Sequence, residues 1–330
     1  MRHGGKKRFI KHSVLPVPIL GRCANTGLVN TIARRLAGML PTLVLVVGLV
    51  FMLIHLVPGD PVASLLGDRA SPADYAALRE ALGLNQPLWH QFINFITGLP
   101  RGDWGTSMVS NKPVLSIIIE RLPATGLLAA AAMAVALVFG GALGLVGASR
   151  RRWLRAGVDN LTLALMATPS FVVGPLLIAA FAVGLGIFPV SGMSGWQSAI
   201  LPAFTLGFGL SAVVARMLTA SLLEEEGKDY TRTVIAKGGT PLRALWHATR
   251  NALLPTVQIV FLQLGMVLTG AVLTEAVFGW PGLGNLLVEA LHQRDYPVIQ
   301  GCLLLISLVY MLCVLLADAT SAALDPRVRR

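Results

Sequence analysis

At 330 residues, 55% of them hydrophobic and only 13% charged, with a mean hydropathy of +0.70, the chain has too little polar surface to cover a soluble core. A formal net charge of +11 would point a soluble protein toward nucleic acid; in a membrane chain its distribution between loops comes first. Cys23, Cys302 and Cys313 lack CxxC spacing and six scattered histidines form no paired ligand pattern, which argues against a disulfide framework or a metal site.

Residues 1–35 hold eight basic residues and no acid. They lack the short apolar core and small-residue cleavage site of a signal peptide, and read as a cytoplasmic tail that can touch anionic lipid. Leu36 to Gly59 has no Asp, Glu, Lys or Arg and is long enough to cross a bilayer, which takes about 20 residues. Pro58-Gly59-Asp60-Pro61 stops it. Residues 59–120 form a polar excursion, with a helix expected from Pro72 to Leu82. Trp89, Phe92, Phe95 and Ile96 then recur at helical spacing, as in a piece lying on the membrane or packed on the bundle.

Leu122 to Ser149 is the second span, and its Gly140, Gly141, Gly144 and Gly147 allow close helix contact. Arg150, Arg151, Arg152 and Arg155 mark the next turn. Asn160 to Ala215 has no charge and is too long for one crossing, so a break from Phe188 to Trp196 gives spans near 161–187 and 197–218. Pro169-Ser170 interrupts the third span, where a freed carbonyl and a hydroxyl can face a cavity. Pro169 and Ser170, with Gln263 in the fifth span, are the candidate pathway residues. The fifth and sixth spans run from Asn251 to Thr274 and from Tyr296 to Ala317. Glu275 is the one tempting acid, and it falls at the outer interface, where solvation accounts for it.

Between the fourth and fifth spans lies a charged stretch, residues 224–250. Glu224 and Lys228 stand at i, i+4, which supports a helix. Tyr230, Thr233, Val234 and Lys237 fall on one helical face. Gly238-Gly239 supplies a left-handed stop, Thr240 an N-cap, and Pro241 the first position of a second helix. Two short helices meeting at a glycine corner are expected. Taken alone, the stretch reads more readily as a solvated loop helix between two spans. Basic residues are unevenly shared: 21 fall with the tail, the 150–155 turn, this loop and the C-terminus, against 6 on the other side. Both termini and the loop are therefore expected in the cytoplasm.

Several stretches carry a family resemblance: RRLAGMLPTL and HLVPGDP, then LGLNQPL, GDWGTS and ERLPAT, then ATPSF, GIFPVSG and ILPAFTLG. DYTRTVIAKG with RNALLP, WPGLG and RDYPVIQG follow. Together they resemble binding-protein-dependent ABC importer permeases of the dipeptide, oligopeptide and nickel branch, over nearly everything after residue 34. The resemblance implies an all-α membrane protein of six transmembrane helices, the type I importer fold. Its divisions are a basic tail (1–35), the first span with an extracytoplasmic segment (36–120), the transmembrane domain (121–318) and a C-terminal tail (319–330).

The loop then matches the family's coupling helix, which fits a groove on an ATP-hydrolysing subunit. Arg232, Thr233 and Val234 stand where the broader superfamily has Glu-Ala-Ala. The coupling residues implied are Asp229, Tyr230, Arg232, Thr233, Val234, Ala236, Lys237, Gly238 and Pro241. Implied partners are a homologous second permease, one or two ATPase subunits that hold ATP and Mg, and an extracytoplasmic substrate-binding protein. No cofactor is expected in the chain itself, and no nucleic acid. Peptides are the default cargo. The short MSGWQ connection between spans three and four also resembles nickel, metallophore and glutathione permeases. Without a GxxxxGKS loop, energy must come from separate subunits. A secondary transporter would bring internal repeats and functional carboxylates within its spans, and none is evident. An intramembrane enzyme lacks a nucleophile in context with a base.

Overall fold

The computed structural model describes residues 23–56, 71–81 and 85–324. The Pro58–Pro61 stop, most of the basic tail and the last six residues lie outside them. The helices are α1 (Cys23–Leu56), α2 (Pro72–Ala81), α3 (Leu88–Gly98), α4 (Val114–Gly147), α5 (Arg152–Ala167) and α6 (Ser170–Leu177). Then come α7 (Ile200–Glu226), α8 (Asp229–Ala236), α9 (Pro241–Phe278), α10 (Leu283–Gln293) and α11 (Tyr296–Leu324). Five of these, α1, α4, α7, α9 and α11, are long and apolar enough to cross a membrane. Two bent pairs also pass by length and composition, as a broken span or a re-entrant loop: α5 with α6, the latter extended by a π-turn from Ile178 to Gly184 and bent by 95° against α5, and the end of α9 with α10, bent by 78°. The first bend sits at Thr168-Pro169, because proline offers no N–H and pushes the preceding residue out of the helical region. Thr168 is accordingly extended, at φ −91° and ψ 115°.

Small residues set the packing. Within a bilayer, helices associate through close contact rather than hydrophobic transfer. A Cβ on Gly140 would meet the Ser211 carbonyl of α7 at 2.7 Å, and one on Gly207 of α7 would meet Val135 of α4 at 2.6 Å. Gly141 faces open space, so it takes no part in the contact. A core of Leu128, Ala132 and Ala136 from α4, Leu206 from α7 and Val267 from α9 fills the centre, with Trp280 wholly buried at its end. On the flank, Gln300 of α11 donates to the Val50 carbonyl of α1 at 2.9 Å, and Phe51 packs against Phe92 and Phe95 of α3.

Boundaries differ from the sequence expectation where polar residues continue a helix beyond the apolar core. The first helix begins by Cys23, the second span begins at Val114, and α5 starts at Arg152. The second half of the charged loop is no separate short helix: from Pro241 one helix of 38 residues runs through Pro255 to Phe278. Glu275 departs most. It is 0% exposed, not solvated, because α9 ends at Gly279 and the chain turns by 78° into α10, folding back over the carboxylate.

Candidate functional site

At one end of the bundle α7 stops at Glu226, and the charged corner follows. Lys228 is the extended N-cap of α8, so its 3.3 Å ion pair with Glu224 spans a break between helices instead of lying within one. Glu225 is the anchor. Its carboxylate accepts from the Tyr230 hydroxyl at 2.6 Å and from the Lys228 ammonium, and its carbonyl accepts from the Thr231 hydroxyl at 2.8 Å. The hydrogen bond to Glu225 raises Lys228 above the ordinary lysine value. This contribution is therefore complete at neutral pH and lost only as pH rises through the folded value.

These bonds orient α8. Thr231 is buried and Tyr230 and Val234 are half-buried, whereas Arg232, Thr233, Ala236 and Lys237 are exposed. The inward face is thus 230, 231 and 234, so that of the four residues placed on one face by spacing, Thr233 and Lys237 stay exposed. Asp229 and Arg232 pair loosely at 4.0 Å on the exposed side. Gly238 closes the helix at φ +81°, its N–H donating to the Ile235 carbonyl at 2.9 Å, and the Gly239 N–H reaches the Val234 carbonyl at 2.9 Å. Thr240 Oγ1 accepts the Arg243 N–H at 3.3 Å, with Pro241 in the first turn of α9. The outer face of the corner is apolar as well as charged: Leu242 is 75% and Trp246 71% exposed, beside exposed Ile235.

A second site lies deeper. Pro169, Ser170 and Gln263, far apart in sequence, line one open cavity of about 520 Å³ between the α5–α6 break, α7 and α9. Thr168, Thr205 and Phe208 share its wall. Gln263 is 7% exposed. The Thr168 and Thr205 hydroxyls bond back to carbonyls of their own helices, at 2.8 Å each, leaving a wall that is mostly apolar with few polar points.

A second cavity, of about 650 Å³, opens at the far end from the charged corner, with Lys112, Glu120, Arg121, Glu289 and Gln293 in its lining. Sequence reasoning missed it, because its residues come from three separate segments. It also missed Thr231, whose signal was a polar residue at the inward register of α8. Among the described residues no three His, Cys, Asp or Glu side chains gather as a metal site.

The family profile described as binding-protein-dependent transport system inner membrane component matches residues 136–330. The companion profile for the N-terminal part of that membrane component matches residues 28–129. The chain is 41% identical over 304 residues to the glutathione transport system permease protein GsiC of Escherichia coli strain K12, covering 92% of this chain and 99% of that protein. It is 43% identical over 307 residues to the protein of the same description from Pectobacterium atrosepticum, with the same coverage. In fold it resembles the inward-facing MetNI methionine ABC transporter, with a TM-score of 0.55 at 18% identity over 64% of this chain and 98% of that one. The chain therefore belongs to the binding-protein-dependent transport system inner membrane components, as a multi-pass permease subunit of an ABC importer.

Proposed function

We propose that this permease imports small peptides, with glutathione, itself a tripeptide, as the first cargo to test. The observation that carries this reading is the 41–43% identity to glutathione permease proteins across nearly the whole chain. The far-end cavity supports it, since Lys112 and Arg121 stand there with Glu120 and Glu289, charges of both signs suited to a zwitterionic peptide. The far end then faces the outside, where a binding protein delivers the cargo. The cavity of Pro169, Ser170 and Gln263 is the midway passage, shared with a homologous second permease. Both termini and the charged corner lie in the cytoplasm, in keeping with the 21-to-6 distribution of basic residues.

In this reading α8 and its glycine corner dock on an ATPase subunit, which binds ATP and Mg and performs the hydrolysis. The exposed Ile235, Leu242 and Trp246, flanked by Arg232 and Lys237, form a surface that is costly to leave bare and apt for a groove. Cells deleted for this permease should lose uptake of labelled glutathione and regain it when the gene is restored. Unchanged glutathione uptake, with loss of nickel or metallophore uptake instead, would replace the cargo and leave the importer standing.

A further inference from the structure

The Glu275 carboxylate is enclosed near the end of α9, where each of its oxygens acts as an acceptor. Oε1 accepts the Thr125 hydroxyl at 2.7 Å, and Oε2 accepts the N–H of Gly284 at 2.6 Å and of Asn285 at 3.1 Å. Thr125 Oγ1 accepts in turn from the Leu283 N–H at 2.7 Å. The first three N–H groups of α10 have no carbonyl within the helix to meet. One carboxylate serves all three, two directly and one through Thr125. Beside it the Trp280 indole N–H donates to the Ala124 carbonyl at 2.9 Å, a second tie between the same turn and α4. The space is shaped for the contact: a Cβ on Gly282 would overlap the carboxylate, and one on Gly284 would run into the Val272 backbone.

α10 is also one wall of the far-end cavity, to which it contributes Leu286, Glu289 and Gln293. Arg121 of α4 lies 3.8 Å from Glu289 across that cavity. We propose that Glu275 is the positioning residue of this mouth: it pins α10 against α4 and so holds Glu289 and Gln293 where a zwitterionic peptide is received. The proposal rests on the importer reading, which places this end outside. Glutamine at 275 keeps the shape but offers one acceptor oxygen. With that oxygen on the N–H groups of α10, the amide nitrogen reverses the bond to Thr125, which must then accept from it as well as from Leu283, and the carboxylate's charge on the helix start is lost.

The test uses the assembled transporter with its binding protein in proteoliposomes. Spin labels at Ile119→Cys on α4 and Leu291→Cys on α10, both exposed positions, report their separation in a Cys23→Ser background. Glu275→Gln should insert and assemble normally, yet broaden that distance. It should raise the half-saturating concentration of glutathione-loaded binding protein about fivefold, with maximal uptake within about twofold. Thr125→Val should act in the same direction, and Thr125→Ser, which restores the hydroxyl, should behave as wild type. A sharp, unshifted distance with unchanged half-saturation in Glu275→Gln would overturn the proposal, as would a fall in maximal uptake alone. Should Glu275→Gln fail to fold, the Thr125 pair decides, and equal behaviour of Val and Ser counts against the idea. The distance is read without cargo, so a wild type that imports no glutathione would refute the proposed cargo while leaving the latch result intact.

Discussion

Gly238 and Gly239 are neighbours held to glycine for different reasons. Gly238 has open space around it but a φ of +81°, whereas a Cβ on Gly239 would meet the Val234 carbonyl at 2.7 Å. A β-branched side chain at Gly238 is strained by roughly 1 kcal/mol or more, while asparagine enters the left-handed region more readily. Gly238→Val should therefore insert normally and lose most ATP-driven uptake, and Gly238→Asn should keep most of it. Uptake measured beside ATPase co-purification separates these outcomes. Equal, near-normal uptake in both variants would mean that the corner conformation is irrelevant to transport. The glycine stop, the Thr240 cap and the proline start were legible because each is a local backbone requirement. Burial of Glu275 was not, since it depends on a turn at Gly279 and on Thr125, which stands 150 residues earlier in the chain.

At the level of elements, α4 and α7 form the most extensive seam among the described residues. Small residues at 140, 144 and 147 announced a contact face in the sequence, although neither their partner nor the idle Gly141 could be read there. Gly140→Ala pushes a Cβ into the Ser211 carbonyl and should cost about 1–3 kcal/mol, as overpacking does. Gly141→Ala should be neutral. Thermal unfolding of the two purified variants in detergent checks the contrast, and equal midpoints would place the seam elsewhere. Span existence was legible from apolar length, and the break at Pro169 from the proline itself. The start of α5 at Arg152 was not, nor was the unbroken run of the helix that Pro241 opens into the fifth span, because polar residues carry both past the apolar core, where hydropathy gives no signal.

For the whole molecule, the arrangement is a bundle with an anchored charged corner at one end, a mixed-charge cavity at the other, and a largely apolar cavity between. Membership of the family makes this bundle the inner membrane component of a binding-protein-dependent transport system. It also disfavours the secondary-transporter alternative. In the proposed importer the charged corner is where an ATPase engages. A photo-crosslinking residue at Ile235, exposed on α8, tests it in the intact transporter. A crosslink to the ATP-hydrolysing subunit is the expected result. An intact complex that hydrolyses ATP and imports cargo, yet gives a crosslink only to the binding protein or to no subunit, would contradict it.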